Sequence, residues 1–372
     1  MEKAKVSVIQ LFAMMFIFNL GTALIVAYGI NAQKDAWLAI LLGMCMGMVL
    51  FFIYYSLFRQ YSTLPLTGYA RKIFGKYLGW IIGLLYVLIF LYMSARNARD
   101  FGDLLVSSTL TETPLLAVNF SLVLVICYVL YLGIEVLGRT AEVFIVVLLF
   151  LGMAGNFFIF ISGNADFHKL QPFLENGWKL PLKVAFRDVF FFPFGEMIAF
   201  TMLLPHLNRP KLVKRVWLSA IVSSGLILSW TASLNIAVLS VDVTKRSVFP
   251  TLVTIGKVNL LDFIERLDAV VVFTMLLTVF FKVSIFLYGA VIGIVDLFKL
   301  NNRQQILLPI GGIVIFLSMT MASSFSEHLE EGHDILHYYF MGFHLLIPLL
   351  MFLVSMIRNG LRKKDRSKPN VI

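Results

Sequence analysis

The chain has 372 residues, 59% of them hydrophobic, with a mean hydropathy of +0.88, which is more apolar surface than a soluble core of this length needs. The apolar residues run in stretches of about 20, the length that spans a bilayer as helix, and they lack the period-two alternation of a membrane barrel. The net charge of +10 argues little for nucleic acid, because the Lys and Arg residues cluster in short loops and the tail, where membrane topology accounts for them.

In chain order, the N-terminus MEKAKVSV runs into the first apolar stretch with no small-residue cleavage site after it, so an uncleaved first helix is expected. Hydropathy predicts ten spans, at 8–30, 36–58, 77–95, 116–133, 140–162, 184–204, 212–240, 267–297, 305–324 and 335–357. The expected fold is an all-α polytopic membrane protein, with residues 1–357 as a single transmembrane domain and 358–372 as a basic tail. Within the first span, Asn19–Ala23 (NLGTA) is a mild interruption. Gly43 and Gly47 in the second span, and Gly289 and Gly293 in the eighth, are small-xxx-small pairs that read as helix packing rather than a dimer face. Cys45 and Cys127 lie in apolar spans and read as small buried hydrophobes, with no disulfide framework and no metal site.

Thr67–Gly79 mixes aromatic and basic residues and reads either as a short helix on the inner leaflet or as an ordinary basic loop. On the third span Ile89 and Met93 share a face, with Arg96 just short of the next turn. Beyond it, Arg96–Asp100 and Arg99–Asp103 are i,i+4 pairs, expected to form a solvated helix end. Asn164–Lys183 joins the two halves. Val241–Arg266, with Pro250 and Gly256, reads as a re-entrant or lid element or as a plain surface loop.

The sixth span, VFFFPFGEMIAFTMLL, is the most informative stretch. Pro193 removes a backbone donor and Gly195 loosens the chain. In hydrocarbon the freed groups need partners, so a break there must face protein or a polar cavity. Glu196 beside the break is a costly intramembrane carboxylate, read either as a ligand contact or proton carrier or as a structural ion-pair member. Lys282, deep in the eighth span, is a candidate partner for Glu196, a substitute for a bound cation or a snorkelling side chain. It lies about 200° around the helix from Ser284, which with Tyr288 forms a different face.

With both termini inside, the inner segments carry 19 Lys and Arg residues and the outer ones 11, which favours cytoplasmic termini. Five spans on each side of residue 170 give halves of inverted topology, about 8–162 and 184–357, whose first members are the two interrupted spans. Interrupted spans in corresponding positions point to a transporter-type site. Four of the six histidines fall in His328–His344. A zinc site at His333 and His337 with Glu330 is not expected, since no second ligand pair is evident. The phosphate-loop, HExxH and GxSxG motifs are missing, so an enzyme is not expected.

These residues resemble the endospore germination permeases, the B subunits of GerA-type spore germinant receptors, in the amino acid–polyamine–organocation superfamily. The resemblance rests on LGTA (Leu20–Ala23), KDAW (Lys34–Trp37), TETPL (Thr111–Leu115), FPFGEM (Phe192–Met197), LLP (Leu203–Pro205), FPT (Phe249–Thr251), ERLD (Glu265–Asp268) and LYG (Leu287–Gly289), in order along nearly the whole chain. It implies a LeuT-like 5+5 inverted repeat with broken helices 1 and 6. By position it implies a ligand site of Gly21, Thr22 and Ala23, Ile89 and Met93, Phe194, Gly195 and Glu196, and Ser284 and Tyr288, with Glu196 and Lys282 as possible charge-coupling residues. Ala23 stands where relatives carry a glycine, which narrows the pocket or moves the break. The resemblance further implies a nutrient sensor, with an amino acid as the expected ligand, and no cofactor. Its expected partners are a membrane A subunit and a lipoprotein C subunit in the spore inner membrane. The alternative is a proton- or cation-coupled amino acid or amine transporter.

Overall fold

The computed structural model describes residues 5–258, 268–324, 327–328 and 336–366. Helix α1 (Val8–Leu20) starts at a capping box: Ser7 accepts from the Gln10 backbone at 3.1 Å, and the Gln10 side chain accepts from the Ser7 backbone at 2.9 Å. It ends at Gly21, whose φ of 33° and ψ of −139° leave helical space and suit glycine alone. The chain continues through short 3-10 turns at Thr22–Leu24 and Ile30–Asp35 into α2 (Ala36–Gln60).

Helix α3 (Leu66–Phe74) precedes α4 (Lys76–Ser108), α5 (Leu115–Leu132) and α6 (Ile134–Ile161). Then α7 (Lys179–Val184) runs into a π-helical stretch, Ala185–Phe194, and a 3-10 stretch, Gly195–Met202. Phe192 inside it is extended (φ −118°, ψ 123°), and the Phe192–Pro193 peptide is cis. Proline has no N–H to continue the ladder, and this is where regular winding fails. The rest comprises α8 (Val213–Leu239), α9 (Val241–Arg246), α10 (Pro250–Gly256), α11 (Asp268–Phe298), α12 (Gln304–Thr320), α13 (Leu336–Phe340), a π-turn at Met341–Leu346 and α14 (Ile347–Arg366).

Seven described helices are long and apolar enough to cross a membrane, and the protein is an integral membrane protein. Val8–Leu20 and Gln304–Thr320 are shorter apolar helices.

Close packing follows the glycines. Gly43 faces Val189 and Gly47 faces Phe194, so α2 lies against the irregular Ala185–Phe194 stretch with no room for a side chain between. On α11, Gly289 meets Phe90 and Gly293 meets Val87 of α4. Both glycine pairs serve packing within the chain, as expected.

Of the two readings for Thr67–Gly79, the helix is formed. Its apolar face, with Leu66, Tyr69, Ala70 and Ile73, is buried on protein rather than laid on lipid. Asp296 at the end of α11 holds α3 through Arg71 and Thr67, each at 2.5 Å, and Arg358 caps the α3 carbonyls of Lys72 and Ile73.

The Asn164–Lys183 connection docks on the end of α8, with Asp166 N–H donating to Ala237 and Lys169 donating to Val238. In the Val241–Arg266 stretch, α9 and α10 form, and residues 259–266 lie outside the described ones. Thr251 of α10 donates to the Leu24 carbonyl at 2.8 Å, tying this element to the chain just past Gly21. Cys127 is buried as expected, but Cys45 is exposed on the side of α2 away from the core. At the opposite end of α1, Val6 and Leu207 form a parallel bridge: Val6 N–H donates to His206 at 2.9 Å and Asn208 N–H to Val6 at 3.1 Å.

Candidate functional site

Glu196 and Lys282 meet where the winding fails. The Lys282 ammonium nitrogen lies 2.6 Å from a Glu196 carboxylate oxygen, and both side chains are 0% exposed. Lys282 sits over two aromatic faces, 4.2 Å from the centre of the Phe192 ring and 5.6 Å from that of Phe18. Its stem passes Gly21 so closely that a Cβ there would be 2.8 Å from Lys282 Cδ. One turn earlier on α11, Thr278 donates to the Gly21 carbonyl at 3.1 Å. Beyond the ion contact, neither carboxylate oxygen nor the ammonium has a hydrogen-bond partner among the described residues. A buried pair of this kind is costly to assemble and still more costly to leave half-made.

The irregular stretch survives in an apolar setting because two tyrosine side chains from elsewhere in the chain take up its carbonyls. Tyr28, just past the first break, reaches the carbonyls of Phe192 at 2.6 Å and Val189 at 3.2 Å. Tyr54 of α2 reaches the carbonyls of His344 at 2.5 Å and Gly195 at 3.3 Å. The His344 ring, in the Met341–Leu346 π-turn, packs against Gly195 and stacks on Phe340. Asn19 at the end of α1 donates to Ser224 at 3.0 Å and to the Met197 sulfur at 3.3 Å, so the two breaks and α8 are linked by polar contacts.

Of the residues expected at the site, Gly21 and Glu196 come together with Lys282. Thr22 and Ala23 are buried in the 3-10 turn that follows. Gly195 is adjacent, and a Cβ on it would be 3.0 Å from His344 Nδ1. Phe194 turns toward Gly47 of α2. Ile89 and Met93 are buried in α4, which packs along α11. Ser284 donates to Phe280 of its own helix at 2.6 Å. Tyr288 lies farther along α11, against the His206 ring at 6.4 Å, and His206 in turn lines a cavity of about 350 Å³ with Asp296 and Arg303.

The basic end of α4 differs from the expected solvated end. Arg96, Arg99 and Asp103 are buried. Arg99 pairs with Asp103 at 2.7 Å, as the spacing predicts. Asp100, however, pairs with His328 at 2.7 Å, and Arg96 donates to the His328 carbonyl at 2.8 Å. The segment at 327–328 folds over the helix end, and His328 takes both groups, Arg96 with its carbonyl and Asp100 with its ring, which spacing along one helix does not reveal. Glu330 and His333 lie outside the described residues, and His337 bonds the Arg187 carbonyl at 2.9 Å. Residues 265–267 of the ERLD motif are likewise outside.

Phe18, Tyr28, Tyr54, Phe192 and His344 escape sequence reasoning. In a chain with 35 Phe and 13 Tyr, an aromatic in an apolar run carries no local mark of its role. The one usable signal is Phe192 itself, immediately before Pro193.

A family model described as spore germination protein matches residues 5–326. Spore germination protein KB of Bacillus subtilis (strain 168) is 40% identical over 369 residues, which is 99% of each chain. Spore germination protein B2 of the same organism is 24% identical over 88% of each chain. Spore germination protein XB of Bacillus anthracis is 22% identical over 89% of this chain and 92% of that one. Among solved structures, Mhp1, a nucleobase-cation-symport-1 family transporter in a closed conformation with bromovinylhydantoin bound, superposes with a TM-score of 0.72 at 14% identity, covering 94% of this chain and 78% of that one. MhsT in complex with L-phenylalanine gives 0.67 at 13% identity, covering 93% and 87%. The fold is that of these transporters.

Proposed function

We propose, from the premise that this chain belongs to the spore germination protein family, that it is the nutrient-sensing membrane subunit of a germinant receptor. It crosses the membrane ten times as one transmembrane domain, in two inverted sets of five, with the first and sixth spans interrupted and both termini in the cytoplasm. Seven long apolar helices, two shorter ones and the irregular 185–202 stretch support that reading.

The observation that carries the reading is the buried Glu196–Lys282 pair set between Gly21 and Phe192. Intramembrane ionisable groups at a helix break mark a ligand or ion site by default. A small nutrient, an amino acid by preference, binds there. Half-helix ends receive its carboxylate, Glu196 receives its ammonium, and Ile89 and Met93 shape the space for its side chain. Binding favours one arrangement of the two halves over the other, since equal affinity for both shifts nothing. The changed surface acts on a membrane A subunit and a lipoprotein C subunit in the spore inner membrane. The test uses spores carrying this receptor alone, exposed to a nutrient panel. The Glu196→Gln variant, present at normal abundance, is expected to lose the response; an unchanged response would overturn the site.

The transporter fold of Mhp1 and MhsT favours a second reading, a proton- or cation-coupled amino acid or amine transporter. Uptake of radiolabelled ligand into proteoliposomes separates the two, since a pure sensor binds without accumulating it.

A further inference from the structure

We infer that the nutrient enters by inserting itself into the Glu196–Lys282 pair, and that it is therefore a zwitterion whose carboxylate, received at the half-helix ends, is also paired with Lys282. This rests on the receptor reading above and names the ligand's charge pattern.

The argument starts from what the pair lacks. It is sealed from solvent, and apart from their mutual contact its three polar atoms have no hydrogen-bond partners among the described residues. A Lys ammonium has three donors and a carboxylate about four acceptor positions. Both ends thus retain hydrogen-bonding capacity that a ligand can use.

Opening the pair leaves two buried charges, each costing several kcal/mol if unmatched. An uncharged ligand matches neither. A cation satisfies Glu196 and leaves Lys282 facing a second positive charge, and an anion does the reverse. A zwitterion matches both ends at once, giving the order carboxylate of Glu196, ligand ammonium, ligand carboxylate, ammonium of Lys282. The net charge of the site stays zero throughout.

The surroundings suit this exchange. The Phe192 ring face that holds the Lys282 ammonium at 4.2 Å serves a ligand ammonium equally well. Lys282 reaches Glu196 on a flexible four-carbon stem, so its head can withdraw without moving α11. Gly21 leaves the passage for that stem open. On this reading, Lys282 occupies the ammonium position as a tethered competitor until ligand arrives.

The test uses the full-length chain in lipid nanodiscs, with thermal stabilisation and calorimetry reporting binding. The probes are the twenty L-amino acids and glucose, then the C-terminal amide (a cation) and the N-acetyl derivative (an anion) of each amino acid that binds. The amide and the acetyl derivative are expected to bind about 100-fold more weakly than the parent, or less, because each leaves one buried partner unmatched. Lys282→Met should invert the order, favouring the amide, and Glu196→Gln should favour the acetyl derivative. Loss of fold alone would weaken all three probes together and would not reorder them. Should either single variant fail to fold, the double variant Glu196→Gln/Lys282→Gln carries a neutral pair and should bind all three within about 10-fold of one another. Equal binding of the three by the unmodified chain, or an unchanged order in the variants, would overturn the inference. Spores that respond through this subunit to glucose and to no amino acid would also overturn it, while leaving the receptor reading intact.

Discussion

Gly21 and Lys282 are fitted to each other: a single added carbon on Gly21 would meet the Lys282 stem at 2.8 Å and the Phe18 carbonyl at 2.9 Å. The glycine therefore does two things. It permits the φ of 33° that ends α1, and it lets a buried lysine pass.

Gly21→Ala is accordingly expected to destabilise the protein by about 1–3 kcal/mol, combining a strained backbone with a clash against a main-chain oxygen. Thermal unfolding of the purified protein in detergent reads this directly. A melting temperature equal to that of the unmodified protein would show that the main chain at residue 21 is not as constrained as its angles indicate.

Tyr54→Phe removes the hydroxyl that serves the His344 and Gly195 carbonyls. Two buried acceptors then lose their donor, at a cost of about 1–3 kcal/mol. Tyr128 is 62% exposed, and Tyr128→Phe is the control, expected within about 0.5 kcal/mol of the parent. The comparison also reads nutrient response, which should fall for Tyr54→Phe because the Gly195 carbonyl beside Glu196 is no longer held.

The glycines of α2 and α6 should behave oppositely. A Cβ on Gly43 would be 2.1 Å from Val189 Cγ1, whereas Gly152 has nothing within 4 Å. Gly43→Ala should therefore cost about 1–3 kcal/mol or more through overpacking. Gly152→Ala should be neutral or add up to about 1 kcal/mol through helix propensity. Melting temperatures of the two variants, side by side, check the difference in sign.

The charged contacts divide by burial. Arg99 and Asp103 are nearly sealed, and Asp103→Asn should lower stability by about 3 kcal/mol by leaving Arg99 without its counter-ion. The Arg71–Asp296 pair is about a quarter exposed, and Arg71→Gln should cost about 1 kcal/mol or less. Raising salt should weaken the second contact and leave the first unchanged. A unfolding measurement at low and high salt distinguishes them.

Much of the arrangement could be read along the chain because it depends on residue type at one position. Pro193 and Gly195 announce irregular winding, Glu196 and Lys282 announce buried charge, and the glycine pairs announce close packing. What could not be read depends on meetings between distant segments. Helical spacing sets Lys282 apart from Ser284 and Tyr288, and the structure keeps that separation: Lys282 faces Glu196, while Tyr288 lies against His206. The partners of the freed carbonyls are Tyr28 and Tyr54, residues indistinguishable in sequence from their many aromatic neighbours. Arg96 and Asp100 have the spacing of a helical ion pair, yet His328, more than two hundred positions away, takes both.

The main-chain stitch between Val6 and residues 206–208 has a mechanical consequence. It ties the residues leading into α1 to the chain leaving the irregular 185–202 stretch. A shift of either segment at that end of α1 must therefore carry the other with it or break both main-chain hydrogen bonds.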